Sequence, residues 1–228
     1  MDELPDIQAE PIKTFAFIDA SNLFYGGQKS LGWSIDYEKL RDYLTEKYGV
    51  SRIYYFGGVE TYDFPYSYLE NESVLINPLY LYLEELTKKT MRCSEELRYS
   101  LFQPTLEQLS KDFKRAKFYK KLAGFGYYLI LKPVKTYYDE SGKPQKKANC
   151  DVDMTYYLML HEDEIERNVV LSGDGDFLPV LKHLRSAGKE VIVLARAPRT
   201  AKEIKQFAGD EFRDFEYLRE SISMGIRG

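Results

Sequence analysis

Short, uninterrupted apolar runs recur along this chain between longer stretches of helical spacing, and they limit its fold more than any other feature. Residues 14–19 read Thr-Phe-Ala-Phe-Ile-Asp, residues 167–172 read Arg-Asn-Val-Val-Leu-Ser, and residues 190–195 read Glu-Val-Ile-Val-Leu-Ala. None of these runs alternates apolar with polar side chains. Each therefore reads as a strand buried on both faces, the situation inside a parallel sheet covered by helices. Arg52 to Val59, rich in Ile, Tyr and Phe, is expected to be another strand that stops at Gly57 and Gly58 or just after them. Tyr127 to Lys135 is a further one.

The intervening segments carry helix signals. Asp36 fits the N-cap of a helix running through Leu40, Tyr43 and Leu44 to Gly49. Pro104 fits the first turn of a helix whose Leu106, Leu109, Phe113, Ala116, Tyr119 and Leu122 share one face and which ends at Gly124. More helices are expected from near Cys150 to about His161, after Phe177 with Val180, Leu181 and Leu184 inward, and from Thr200 to Phe207. Gly26 and Gly27 break the chain after the first strand. Tyr138 to Lys147, with Asp139, Ser141, Gly142 and Pro144, reads as a turn or exposed loop, and Glu211 to Leu218 as a last extended piece. The alternation predicts an α/β fold: a Rossmann-like parallel sheet with helices on both faces. Residues 60–110, broken by Pro65, Pro78 and Pro104, read as a helical insertion forming a cap or arm. The expected division is a tail over 1–12, one domain over 13–220 and a second tail over 221–228.

A chain of 228 residues, 44% hydrophobic and 30% charged, has the composition of one soluble globular domain with an insertion. Cys93 and Cys150 show no metal-ligand spacing and no disulfide framework, which suits a reducing compartment. Met1 to Pro11 lacks the order of a signal peptide, and no run reaches the roughly 18 apolar residues of a membrane span, so a cytoplasmic location is expected. The net charge of −4 conceals an asymmetry. From Lys111 to Lys147 there are 11 basic residues against 3 acids, a balance of +8 that leaves −12 for the rest. Such a segment is either a solvated helix face or a surface for a polyanion backbone.

The acids are placed for chemistry. In open α/β sheets ligands bind beyond the carboxyl ends of the strands, where Asp19 closes the first run and Asp174 and Asp176 follow the Val169–Ser172 run between glycines. Asp151 and Asp153 stand at the entry of a helix, where they suit the first-turn N–H groups. Each has an ordinary alternative: Asp19 can cap a turn or bind a ribose, and Asp151 and Asp153 can be simple N-terminal acids. If the acids converge, they repel one another unless a cation neutralises them, and oxygen-only ligands select Mg²⁺ or Mn²⁺ over zinc. His161 and His183 have no neighbouring motif and read as structural or surface groups.

Three stretches resemble a known family. Phe-Ala-Phe-Ile-Asp19-Ala-Ser-Asn22 resembles the opening strand and D-x-x-N of NYN domains, the LabA-like branch of the PIN-like nucleases. Lys147-Ala-Asn-Cys-Asp151-Val-Asp153-Met is similar to the family's K-x-x-x-D-V-D segment. Ser172-Gly-Asp174-Gly-Asp176-Phe177-Leu-Pro is similar to its S-G-D-G-D-F-x-P stretch. The resemblance implies a PIN-like sheet, Mg²⁺ or Mn²⁺ on the carboxylates, and hydrolysis of RNA phosphodiesters. Carried over, Asp19, Asp151 and Asp174 would be metal ligands, Asp176 or Asp153 would stand in the inner or outer shell, and Asn22 would orient Asp19 or a phosphate oxygen. One departure is Tyr157, six residues after Asp151, where many relatives carry another acid; Asp153 is expected to compensate in part. Lys114, Lys117, Lys121, Lys135, Lys146 and Lys147 would contact the RNA backbone. Tyr127, Tyr128, Tyr137 and Tyr138 are either stacking platforms for bases or packing residues, and the first two begin a core strand. The 60–110 insertion is a candidate surface for a protein partner or a second copy. Two other readings stand beside the ribonuclease: an RNA-binding or scaffold module that does not cut, and a phosphatase or Toprim-type enzyme. The last is disfavoured because Asp19-Ala-Ser is no Asp-x-Asp pair and no glutamate stands where a Toprim would place one.

Overall fold

The computed structural model describes residues 12–24, 31–92, 104–138 and 144–224. Among them, six strands form one parallel sheet: β1 (Thr14–Asp19), β2 (Val50–Val59), β3 (Tyr128–Pro133), β6 (Arg167–Leu171), β7 (Glu190–Ala195) and β8 (Phe212–Asp214), in the order β3-β2-β1-β6-β7-β8. The expected α/β architecture is present, with helices on both sheet faces. Side chains alternate along the central strands, so Ala16 and Ile18 point into one apolar layer while Phe15 and Phe17 point into the other. The first layer is covered by α1 (Tyr37–Tyr48), α2 (Ile76–Arg92) and α3 (Leu106–Gly124), and the second by α4 (Asp151–Leu160), α5 (Leu178–Ser186) and α6 (Lys202–Ala208).

Local chemistry sets the helix ends. Asp36 caps α1 by accepting the N–H groups of Glu38 and Lys39, and Gly49 closes the helix in the left-handed conformation. Pro104 is not in the first turn of α3. Thr105 is the N-cap, and it exchanges hydrogen bonds with Gln108 in a reciprocal capping box of 3.0 and 3.2 Å.

Four other expectations change or narrow. Lys135 to Lys147 is a β-hairpin rather than a plain loop, with β4 (Lys135–Tyr138) antiparallel to β5 (Pro144–Lys147). Its strands are polar and lack the two-residue apolar period that would have marked them; residues 139–143, at its tip, lie outside the described residues. The strand expected over Tyr127–Lys135 ends at Pro133, and Lys135 opens the hairpin. The domain continues past residue 220. Ile222, in a short helix α7 (Arg219–Ile222), is fully buried, and its carbonyl accepts the N–H of Asp36 at 2.8 Å. Of the two forms expected for the 60–110 insertion, a cap or an arm, its described part does not stand free but lies packed on the domain. Leu79 and Leu83 of α2 enter the core, Tyr80 stacks on Phe113, and the Tyr62 hydroxyl donates to Asp112 at 2.5 Å. Next to α2, Ser73 and Val74 close the outer edge of β3. Val74 N–H donates to the Leu131 carbonyl, and the Ser73 hydroxyl accepts from Leu131 N–H and donates to the Leu129 carbonyl. Gly26, Gly27 and Cys93 lie outside the described residues.

Candidate functional site

β1 and β6 lie side by side at the centre, and the strand order runs away from them in opposite directions. A reversal of that kind opens a crevice at the carboxyl ends of the two strands, the usual ligand position in open parallel sheets. Asp19 is the last residue of β1, and Ser172 is the first beyond β6.

The Asp19 carboxylate is nearly buried and held from four sides. Oδ1 accepts the N–H of Ser21 (2.9 Å), the hydroxyl of Ser21 (2.7 Å) and the N–H of Asn22 (3.2 Å), and Oδ2 accepts the Ser172 hydroxyl (3.2 Å). Ser172 Oγ in turn accepts Asp174 N–H at 3.2 Å, and Asn22 Oδ1 accepts Gly173 N–H at 3.1 Å. The two turns are therefore stapled together: the Asn22 N–H helps to hold Asp19, while its side chain orients the Gly173 backbone. Ser172 was not among the residues read from sequence as functional. A hydroxyl at the end of a buried strand needs a partner, but its partner is far away in the chain. Asp174 is fixed locally, with Oδ1 accepting Asp176 N–H at 3.0 Å.

Asp151 joins the group from the first turn of α4. Burial and then the charges of Asp19 and Asp174 hold its carboxyl above the ordinary carboxylate range; Lys147 opposes the shift and Asp176 adds to it. No hydrogen bond or ion pair among the described residues engages this carboxylate. Four acids from three separate stretches thus share one rim. Among the described residues, no three His, Cys, Asp or Glu side chains are placed close enough together to hold a metal ion. What the four acids share is the longer-ranged interaction of like charges. The donor chemistry fits a hard divalent cation. All are oxygen ligands, burial pushes the adjoining Cys150 thiol up to about 12, and the histidines are engaged elsewhere, His161 with Glu164 and His183 with Glu162.

Asp153 is not free to join them. Residues two apart on a helix differ by about 200° in direction, and here Asp153 turns to Lys132, whose Nζ lies 2.5 Å from Oδ2. The expected compensation for Tyr157 is therefore not available from an ion-paired Asp153. Tyr157 itself packs edge-on against Phe56, and its hydroxyl donates to Glu72 at 3.3 Å.

Gly173 and Gly175 let the chain beyond β7 close over this turn. Ala201 N–H donates to the Gly173 carbonyl at 2.9 Å, and a Cβ on Gly173 would fall 2.6 Å from Thr200 Oγ1 and 3.0 Å from Thr200 Cα. Gly173→Ala is expected to cost about 1–3 kcal/mol of stability by overpacking against backbone. Gly124→Ala, with nothing within 4 Å of the new methyl, should be neutral or stabilising. Urea unfolding of the two variants side by side checks the contrast.

The NYN domain family model matches residues 104–216, a span that holds Asp151, Ser172, Asp174 and Asp176. The chain carries an NYN domain. The matched span omits Asp19 and Asn22, which the fold returns to the same rim. The chain is also 21% identical over 216 residues to the low amplitude and bright protein LabA of Synechococcus elongatus, with 93% of this chain and 88% of that protein covered. Its fold is similar to the crystal structure of a protein of unknown function from Vibrio parahaemolyticus, with a TM-score of 0.60 and 16% identity over 96% of this chain and all of that one. These findings agree with a LabA-like NYN protein of PIN-like α/β fold, a nuclease-type class.

Around the NYN rim the lysines divide. Lys147 lies close enough to act on Asp151, whereas Lys146 is paired with Glu60 at 2.7 Å. Lys114, Lys117 and Lys121 are exposed on α3, the last lying over the Phe125 ring, and Lys135 faces Tyr68. Of the tyrosines, Tyr127 is a core residue whose hydroxyl donates to the Tyr37 carbonyl at 2.6 Å; Tyr128 is half exposed against Tyr54, and Tyr137 and Tyr138 are exposed on β4. Among the described residues, no helix is long and apolar enough to cross a membrane.

Proposed function

We propose that the chain is a metal-dependent ribonuclease that hydrolyses RNA phosphodiester bonds at the rim formed by Asp19, Asp151, Asp174 and Asp176. The observation that carries this reading is the Asp151 carboxyl, left without a hydrogen-bonding partner among the described residues and penalised by the three other acids. Like charges crowded in this way repel one another, and a hard cation offsets the repulsion. Asp19, Asp151 and Asp174 would hold Mg²⁺ or Mn²⁺, with Asp176 beside them. Once bound, the ion supplies Lewis-acid stabilisation for an in-line displacement by water.

The protein's own groups do the rest. The hydrogen bonds to Asp19 keep its carboxylate from rotating, so little reorganisation is left for the reaction. Lys147 stands opposite Lys135 across the hairpin, and like charges on facing strand positions are unfavourable until an anion lies between them. A phosphate backbone would relieve that repulsion, giving salt-dependent binding with little sequence preference. Hydrolysis joins a water oxygen to phosphorus as the bond to the 3′-oxygen breaks, and it requires no side-chain nucleophile.

Single-stranded RNA should be cut in Mn²⁺ and left whole in EDTA, and Mn²⁺ should raise the unfolding temperature. A second reading, an RNA-binding or scaffold module, is favoured by one observation: Tyr157 occupies the place of a further acid and is half-buried against the core. RNA that is bound but never cut at any Mn²⁺ concentration selects that module. RNA neither bound nor cut removes both readings.

A further inference from the structure

The rim also opens a cleft of about 490 Å³ between the Gly173–Gly175 turn and residues 198–201, lined by Asn22, Asp174, Arg199 and Thr200 among others. Two of these side chains offer donors. Asn22 accepts a backbone N–H, which only its carbonyl oxygen can do, so its NH₂ group remains a donor. Arg199 is exposed, and no carboxylate among the described residues pairs with its guanidinium. Its neighbour Arg196 shows the contrast: Asp214 at 3.1 Å and Glu216 at 2.5 Å pair with its two terminal nitrogens. The Thr200 hydroxyl is spent on the Arg196 carbonyl. An arginine with no carboxylate partner among the described residues and an amide NH₂ in one cleft are suited to hold an anion between them.

We infer that this cleft is a phosphate subsite, in which the Arg199 guanidinium and the Asn22 amide hold the RNA phosphodiester adjacent to the one lying at the acidic rim. A polyanion drawn towards four carboxylates is repelled unless cations line its path on both sides. Lys147 supplies one side and Arg199 the other. The planar guanidinium adds a geometric demand, because its fork matches two phosphate oxygens where an ammonium offers a single point of charge. Gly173 and Gly175 permit the cleft by letting residues 200–203 approach the turn closely.

The inference rests on the rim's being the site of RNA hydrolysis, but its test does not require cleavage. Fluorescence anisotropy with a labelled single-stranded RNA in EDTA, repeated over a range of salt concentrations, reads affinity and its salt slope together. Arg199→Ala should bind several-fold more weakly, and the slope of log K against log salt should shrink by about 0.7, the loss of one phosphate contact. Arg199→Lys should keep the slope and recover only part of the affinity. Lys182→Ala, an exposed cation on α5, should change neither. An Arg199→Ala slope equal to that of the parent overturns the subsite, as does an equal effect of Lys182→Ala or an absence of RNA binding at low salt. Cleavage in Mn²⁺ with an unchanged Arg199→Ala slope removes the subsite and leaves the hydrolytic reading standing. A slope that responds in a protein unable to cut does the opposite.

Discussion

Asp151→Asn should lower Mn²⁺-dependent RNA cleavage on the order of 10²- to 10³-fold while leaving the metal-free protein as stable as before, or more so. Asn keeps the size and one acceptor oxygen but removes the charge. Because burial and the neighbouring acids raise the folded-state pKa of Asp151, the folded protein holds a proton there in a pH range where the unfolded chain has already lost it. Stability therefore falls as pH climbs from the ordinary carboxylate value of about 3.9 through the raised value, and the penalty persists above it. The variant has no such penalty. In EDTA, thermal midpoints followed from acid to neutral pH should show the parent losing ground to Asp151→Asn as pH rises. Mn²⁺ should then stabilise the parent alone. A variant that is less stable than the parent in EDTA at neutral pH would instead make Asp151 an N-terminal helix acid, with its role confined to the α4 dipole.

Phe177→Ala should cost about 3–5 kcal/mol. Phe177 is 1% exposed and packs in the layer that holds Met154 and Leu158 of α4 and Leu181 of α5. It follows directly on the turn that carries Asp174 and Asp176, and Asp151 opens α4. One ring therefore ties two of the acidic stretches to the same core. Removing it should cost activity beyond what the folded fraction explains, whereas Phe177→Leu, which keeps most of the volume, should retain most of both. Urea unfolding and RNA cleavage measured on the same preparations check this. An alanine variant that loses less than about 1 kcal/mol would show that the turn holds its shape without the anchor.

The central strands and the rim they carry were legible because their physics is local. Buried parallel strands must be apolar throughout, and an acid at the end of such a strand stands out against that run and marks where ligands bind in open sheets. The hairpin was missed because polar strands carry no burial period. The ion pair of Asp153 with Lys132, 21 residues away, was not legible, because helical rotation turns Asp153 from the direction of Asp151 and its partner sits on a distant strand. Ser172, Asn22 bonded to Gly173, and the cleft beside Arg199 depend on loops that meet only after folding. No spacing rule encodes those meetings. The close approach of Thr200 to Gly173 is of the same kind: the glycine was visible, but what it makes room for was not.

The strap formed by Ser73 and Val74 has a consequence for how this protein meets others. An open β-edge invites a foreign strand to extend the sheet, the route to many accidental assemblies. On one flank the strap already occupies the backbone groups of Leu131, and on the other the outermost strand, Phe212–Asp214, has only three residues to offer. Among the described residues, a visiting strand finds little backbone to zip onto at either flank of the six-stranded sheet.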